Sequence, residues 1–275
     1  MFSVWPALVT PFDSHGRLCT DVAVSLAESL HSQGAQGVIV AGTTGEFLSL
    51  NLTEWSDLVQ AIGKSLCPMR VCVALGDPNF DNKLAIIHKT SAQGLLVLPP
   101  IYTKPSQAAI SHDLEVLQRK TTLPIWLYHN PSRAGVGFDF QGIDKLLQKH
   151  GTQICGMKES DDRFAQWPLW LKTHPNFQLL GGDDLWATTF RDLGAYGLIS
   201  AAANVAMDLL NQALAGKNVS LWLSTVRLLF SAPNPILIKY ALVQRGWPVG
   251  VPRVLLDVID PDMYRAVKEH FQKLL

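Results

Sequence analysis

The stretch Ile154-Cys155-Gly156-Met157-Lys158-Glu159-Ser160 has the pattern of a short apolar strand that ends in a single lysine. Its continuous apolarity is typical of a strand buried on both faces in a parallel sheet. A lysine at such a strand end usually extends to solvent. In a dry interior, however, desolvation favours the neutral amine, which attacks carbonyl carbon. Lys158 is therefore a candidate Schiff-base residue, and the rest of the chain decides between these interpretations.

Runs of the same kind recur along the chain, each followed by a segment with helical spacing. Their starts lie about 20 to 35 residues apart, which fits one strand plus one crossover helix. Eight such units predict an α/β protein with a (β/α)8 TIM barrel. A doubly wound open sheet is the rival, because alternation alone does not show whether a sheet closes. The predicted strands are Val4 to Val9, Gly37 to Val40, Arg70 to Leu75, Gly94 to Leu98, Pro124 to Tyr128, Ile154 to Met157, Phe177 to Leu180 and Gly197 to Ser200.

Beyond about Met207 the strand pattern stops and helical patterns continue. We expect a catalytic barrel over residues 1–207 and a helical appendage, not a second catalytic domain, over residues 208–275. The helices predicted there are Leu209 to Ala215, Ser220 to Ser231, Pro235 to Arg245 and Asp260 to Leu274.

Composition narrows the classes of function. The 275 residues, 48% hydrophobic, are enough for a barrel, and Lys+Arg and Asp+Glu both total 23 with no basic block. This balance disfavours an extended nucleic-acid surface and favours a small-molecule partner. The four cysteines have no paired metal spacing, which fits a reducing cytoplasm. The N-terminus does not resemble a signal peptide, and no apolar run reaches the roughly 18 residues of a membrane helix. We expect a soluble, unprocessed cytoplasmic protein.

Catalytic residues of a barrel follow its strands, so the residues after each run are the candidates. The second run leads into Gly42-Thr43-Thr44-Gly45-Glu46, and Tyr102 follows the fourth. The fifth ends at Tyr128, shortly before Arg133, and the sixth leads to Lys158. Because strands five and six are neighbours, Tyr128 should lie close to Lys158.

Each of these residues also has a structural explanation. A threonine in the glycine-flanked loop could cap a helix, Tyr128 could be a core tyrosine with a satisfied hydroxyl, and Arg133 could be a surface arginine. The functional interpretation is a carboxylate site: the glycines let backbone N–H groups approach it, and Arg133 is suited to paired hydrogen bonds.

Other polar groups restrict the ligand. Gly181-Gly182-Asp183-Asp184 follows the seventh run, and its two carboxylates disfavour a phosphorylated substrate. The eight histidines form no metal-binding pair, so we expect neither a catalytic metal nor a cofactor. Strand alternation predicts that His129 points away from Tyr128.

Together these segments resemble the dihydrodipicolinate synthase and N-acetylneuraminate lyase family of pyruvate-dependent class I aldolases. The resemblance covers most of the barrel and implies that Lys158 forms an imine with pyruvate. It also implies that Tyr128 donates and accepts protons, and that Thr44 and the backbone around Ile199 hold pyruvate. Its motifs are Pro6 to Phe12, the Gly-Thr-Thr-Gly-Glu loop, Tyr128 with Asn130-Pro131, Gly156 to Ser160, Gly182-Asp183-Asp184 and Gly197 to Ser200.

Within the family, Thr43-Thr44 and Pro131 to Gly135 resemble the dihydrodipicolinate synthase branch. That branch implies condensation of pyruvate with L-aspartate 4-semialdehyde in the diaminopimelate pathway to lysine. Thr43, Tyr128 and Tyr102 would form a proton relay, with Tyr102 usually reaching the neighbouring subunit of a homodimer or homotetramer. Arg133 would bind the semialdehyde carboxylate.

Two alternatives remain at this point. One is an aldolase for N-acetylneuraminate or a 2-keto-3-deoxy sugar acid, which needs many hydroxyl partners instead of one carboxylate clamp. The other is a non-catalytic binding module, against which the retained Lys158, Tyr128 and Thr43 argue.

The chain also departs from the family. His129 stands where asparagine is common, and the stretch from Pro248 to Arg253 differs from the usual ending. At positions that tend to carry small side chains, His, Glu or Tyr in lysine-inhibited members, this chain has largely apolar residues, which predicts insensitivity to lysine. These are Phe47, Leu52, Trp55, Asn82 and Ile101.

Overall fold

The computed structural model describes residues 2–65, 69–76, 80–101, 103–254 and 260–273. Eight parallel strands occur within these ranges. They are β1 (Ser3–Pro6), β2 (Gly37–Val40), β3 (Arg70–Leu75), β4 (Gly94–Val97), β5 (Ile125–His129), β6 (Ile154–Glu159), β7 (Gln178–Gly181) and β8 (Gly197–Ser200).

The strands form a single sheet in the order β1-β8-β7-β6-β5-β4-β3-β2. The ends of this order meet, because Ala7, just after β1, bridges Ile39 of β2 and the Leu8 amide donates to the Ile39 carbonyl at 3.0 Å. The predicted barrel is confirmed, and the open-sheet alternative is wrong. The first strand is shorter than predicted, since it ends at Pro6 and is followed by the bridge at Ala7, whose amide also donates to the Ser200 carbonyl at 2.7 Å.

Helices lie between the strands and after the last one. Within the described ranges they are α1 (Thr20–Ser32), α2 (Leu52–Ser65), α3 (Asp81–Ile87), α4 (Gln107–Gln118), α5 (Pro131–Ala134), α6 (Phe140–His150), α7 (Trp167–Thr173), α8 (Ala187–Asp192), α9 (Ala203–Leu214), α10 (Val219–Leu229), α11 (Ile236–Gln244) and α12 (Pro261–Gln272). The predicted division after residue 207 falls inside α9, next to the non-helical backbone of Ala206. No helix among the described residues is long and apolar enough to cross a bilayer.

Both faces of the strands are apolar, as the sequence pattern predicted. Side chains such as Leu127 and Met157 pack against the helices, while Trp126 and Leu180 fill the barrel interior. Each such buried side chain contributes about 1.5 to 3 kcal/mol of transfer free energy. The barrel is therefore a packed scaffold whose carboxyl end is free to carry polar groups.

Candidate active site

Strands β5 and β6 place a tyrosine and a lysine side by side. Their register pairs Tyr128 with Lys158 and His129 with Glu159. Since alternate side chains point to opposite faces, the first pair faces the interior and the second faces the helices. The Nζ of Lys158 lies 4.3 Å from the centroid of the Tyr128 ring. Lys158 is only 8% exposed, so it does not extend to solvent as most strand-end lysines do.

The stem of Lys158 packs against Gly182. A Cβ atom on Gly182 would lie 2.8 Å from the Cε of Lys158 and 2.1 Å from the Oγ of Ser160. The Gly182 amide also donates to the Glu159 carbonyl at 2.6 Å, which fixes the glycine against β6. Only glycine fits here, because the Lys158 side chain occupies the space that a Cβ atom would need.

The phenol of Tyr128 is held by Asn130. The Nδ2 of Asn130 donates to the Tyr128 hydroxyl at 3.0 Å, while its Oδ1 caps α5 by accepting from the Arg133 amide at 3.2 Å. Burial raises the pKa of Tyr128, but the Lys158 charge and the Asn130 hydrogen bond outweigh it and leave this pKa below its usual value. A phenol that ionises more readily is better suited to both donating and accepting a proton.

A cavity of about 300 Å³ opens around these groups at the carboxyl end of the barrel. It brings together six of the seven predicted site residues, namely Thr43, Thr44, Tyr128, Arg133, Lys158 and Ile199. The seventh, Tyr102, lies outside the described residues.

The C-terminal region contributes to this cavity, which sequence reasoning missed. The Nδ2 of Asn234 donates to the Thr44 hydroxyl at 2.9 Å across 190 residues of sequence. Its Oδ1 is buried and has no hydrogen-bond partner among the described residues. Val226 and Phe230 of the same region also line the cavity. The dipeptide Asn234-Pro235 marks a turn but gives no hint of this contact.

Arg133 stands at the cavity wall on α5. Its guanidinium makes no hydrogen bond or ion pair within the described part of the chain, so its donors are available to a carboxylate. Much of the remaining wall is apolar and comprises Phe47, Leu75, Leu98, Leu185, Val226 and Phe230.

The two aspartates after β7 have different roles. Asp184 is buried and accepts from the Ala201 and Ala202 amides, each at 3.0 Å, and from the Ser200 hydroxyl. Burial raises its pKa to about 6. Asp184 therefore supports the loop after β8 through these hydrogen bonds, and of the two carboxylates the Asp183 side chain remains to disfavour a phosphate group.

His129 and Glu159, whose side chains face the helices, support the strands that carry Tyr128 and Lys158. Glu159 is fully buried and accepts from Arg163 and from the Trp167 indole at 3.0 Å. The Phe138 amide donates to the Nδ1 of His129 at 2.9 Å, which confirms that His129 points away from Tyr128. Burial, together with the nearby Arg163 charge, lowers the pKa of His129 to about 4.

Comparisons with known proteins agree with this geometry. The model of the dihydrodipicolinate synthetase family matches residues 1–274. A 4-hydroxy-tetrahydrodipicolinate synthase of Prochlorococcus marinus is 31% identical, over 98% of this chain and 94% of that protein. The synthase of Symbiobacterium thermophilum is 30% identical, over 96% and 94%.

Solved structures of dihydrodipicolinate synthases are also similar to this chain. The dihydrodipicolinate synthase of Cyanidioschyzon merolae with lysine bound superposes with a TM-score of 0.89 at 27% identity, covering 100% of this chain and 99% of that one. A monomeric dihydrodipicolinate synthase variant superposes with a TM-score of 0.85 at 25% identity, covering 100% and 98%.

A buried lysine beside a tyrosine at the carboxyl end of a (β/α)8 barrel, together with these likenesses, defines a lyase of the class I aldolase type. Within that class, the chain belongs to the dihydrodipicolinate synthetase family.

Proposed function

We propose that this protein is a 4-hydroxy-tetrahydrodipicolinate synthase, which condenses pyruvate with L-aspartate 4-semialdehyde in lysine biosynthesis. The observation that carries the proposal is the buried Lys158, with its Nζ 4.3 Å from the Tyr128 ring, in a cavity that also holds Thr44 and Arg133. The names of the relatives support the choice of substrates.

In the first step, the Lys158 amine attacks the pyruvate ketone, and the hydroxyl of the resulting carbinolamine takes up a proton and leaves as water, which gives a protonated imine. The imine is an electron sink, so loss of a methyl proton gives an enamine. Tyr128 would accept and return protons, and the resemblance assigns Thr43 and Tyr102 to the same relay. The Thr44 hydroxyl and the backbone around Ile199 would hold the pyruvate carboxylate.

In the second step, the enamine carbon attacks the aldehyde of the semialdehyde, and the new alkoxide takes a proton. The amino group of the semialdehyde then attacks the imine carbon and displaces Lys158, which closes the ring and restores the enzyme. Arg133 would hold the substrate carboxylate during both events through paired hydrogen bonds.

The cavity wall favours this substrate over a sugar acid. A polyhydroxylated chain needs a hydrogen-bond partner for most of its hydroxyls, because unpaired polar groups are costly to bury. The lining has a few polar side chains, such as Ser132, Ser160 and Asn234, whereas the side chains of Phe47, Leu98, Leu185 and Phe230 supply no partner. A short amino aldehyde with one carboxylate can be satisfied by Arg133 and the polar groups near Lys158.

An initial-rate assay with pyruvate would compare L-aspartate 4-semialdehyde with N-acetylneuraminate and 2-keto-3-deoxy sugar acids. We expect turnover with the semialdehyde. Cleavage of sugar acids without turnover of the semialdehyde would reject the proposal.

Imine formation is tested separately. Incubation with pyruvate and borohydride, followed by mass spectrometry, should add a reduced pyruvyl group to the wild type but not to Lys158→Ala. An unmodified wild type would favour a binding module over an enzyme.

The family resemblance further suggests a cytoplasmic homodimer or homotetramer. Light scattering coupled to size exclusion would measure its mass, and a monomer that is fully active would exclude a relay completed by a neighbouring subunit.

A further inference from the structure

A second pocket lies at the opposite end of the barrel from the active site. Its volume is about 210 Å³, and its walls come from the amino ends of strands or the residues just before them. The lining residues are Ser3, Trp5, Gln36, Arg70, Gln93 and Tyr196. Interior side chains such as Ile39 and Leu96 line the catalytic cavity and belong to the layer between the two sites.

The pocket is built around one arginine. The Cζ of Arg70 lies 5.4 Å from the Trp5 ring centroid and 5.6 Å from that of Trp126. Both indoles are buried, and their ring centroids lie 5.3 Å apart at an interplanar angle of 76°. Gly94 makes room for this arrangement, since a Cβ there would lie 2.4 Å from the Trp126 ring. The guanidinium is therefore held by cation–π contacts with two fixed rings.

The hydrogen-bond donors of Arg70 have no acceptor among the described residues of the pocket, although Trp5 and Ser3 are hydrogen-bonded there. Within the described part of the chain, no carboxylate or carbonyl accepts from the five N–H donors of Arg70. The side chains of Gln93 and Tyr196 likewise have no hydrogen-bond partner there. The Oε1 of Gln36 accepts from the Val4 amide at 2.7 Å, which leaves the Gln36 NH₂ group to face other partners.

We propose that this basal pocket binds a small carboxylate, with Arg70 donating paired hydrogen bonds and Gln93 and Tyr196 completing the contacts. The lining carries one positive charge and no acid, which matches a monoanionic carboxylate. The volume equals that of about seven water molecules, so the ligand is small. The site does not depend on the imine chemistry of the opposite end.

The test is isothermal titration with acetate and with propionate, both monoanions, using chloride at equal ionic strength as the reference. Wild type should bind the carboxylates saturably. Arg70→Gln should weaken binding about tenfold or more, the usual effect of losing a charge-assisted hydrogen bond. Gln93→Glu should weaken it similarly, because the new carboxylate would occupy the Arg70 donors.

Arg133→Gln is the matched control, since it removes the other arginine available to a carboxylate, at the catalytic end. It should leave this binding unchanged, and Arg70→Gln should retain the catalytic rate. Equal affinities for wild type and both pocket variants would overturn the proposal, as would loss of binding in Arg133→Gln. If Arg70→Gln does not fold, Gln93→Glu gives the answer, because Gln93 is exposed and its replacement disturbs no packing.

Discussion

At the scale of single residues, the hydroxyl of Tyr128 is the group that the proposed chemistry needs most after Lys158. Tyr128→Phe keeps the ring beside Lys158 and removes the hydroxyl that would transfer protons in the proposed relay. We expect kcat to fall on the order of 100-fold to 10,000-fold, the usual size of general acid–base catalysis, while borohydride still traps the pyruvate imine. Initial rates and mass spectrometry would measure the two effects.

Tyr240→Phe is the control for that substitution. The ring of Tyr240 packs against Tyr264 with centroids 4.5 Å apart, away from the cavity residues. Its loss of a hydroxyl should leave kcat unchanged. A Tyr128→Phe enzyme with the wild-type rate would show that another group transfers the protons.

His129 should make the stability of this protein depend on pH. Its pKa is about 4 in the folded chain against 6.5 in the unfolded chain. Below pH 6.5 the unfolded chain therefore binds a proton that the folded chain does not, and stability falls as the pH drops toward 4. The loss over this interval is on the order of 1 to 3 kcal/mol. Urea unfolding at pH 7 and 4.5 should show it in wild type and in His15→Asn, an exposed control, but less in His129→Asn. Identical pH dependence in all three would reject this assignment.

At the scale of elements, one buried ion pair ties the C-terminal helices to the loop that carries Thr43 and Thr44. Lys239 of α11 is fully buried and donates to Glu46 at 2.7 Å and to the Val251 carbonyl at 3.1 Å. The second oxygen of Glu46 accepts from the Arg253 amide at 2.8 Å. The loop that contains Glu46 and the C-terminal segment from Lys239 to Arg253 are thus joined through one carboxylate.

Lys239→Met tests this connection. It leaves the buried Glu46 carboxylate without its partner, and losing one member of a buried pair costs about 3 to 5 kcal/mol of unfolding free energy. Lys120→Met is the matched control, because its pair with Asp81 is exposed and worth at most about 1 kcal/mol. Chemical denaturation would compare the two variants. Equal losses of unfolding free energy would contradict a stabilising role for the buried Lys239–Glu46 pair.

The sequence could predict features that belong to one segment or to consecutive segments, but not contacts between distant segments. The bounds of β2, β3 and β8 follow from continuous apolar runs, and the adjacency of Tyr128 and Lys158 follows from consecutive strands. The contact of Asn234 with Thr44 could not be found in this way, because it joins residues whose neighbours in sequence give no common pattern. The need for Gly182 also depends on the register of β6 and β7, which no single strand shows.

At the scale of the whole molecule, the barrel has two chemically different ends. The carboxyl end carries the lysine, tyrosine and threonines, whereas the amino end is closed by Trp5 and Trp126 under Arg70. The C-terminal region is not a separate appendage in functional terms, because it lines the cavity through Val226, Phe230 and Asn234. A truncation before α10 would therefore remove part of the active site.

Regulation is a property of the whole molecule, and we predict that lysine does not inhibit this enzyme. Phe47, Leu52 and Ile101 offer no charge to compensate an ammonium group. The Nζ of Lys83 already lies 5.3 Å from the Trp55 ring centroid, so a second cation approaching that ring would be repelled. Millimolar lysine should leave the initial rate with saturating pyruvate unchanged. The Cyanidioschyzon merolae protein, solved with lysine bound, is the positive control for binding in a parallel titration. Suppression of the rate by lysine would show that other residues supply the missing charge.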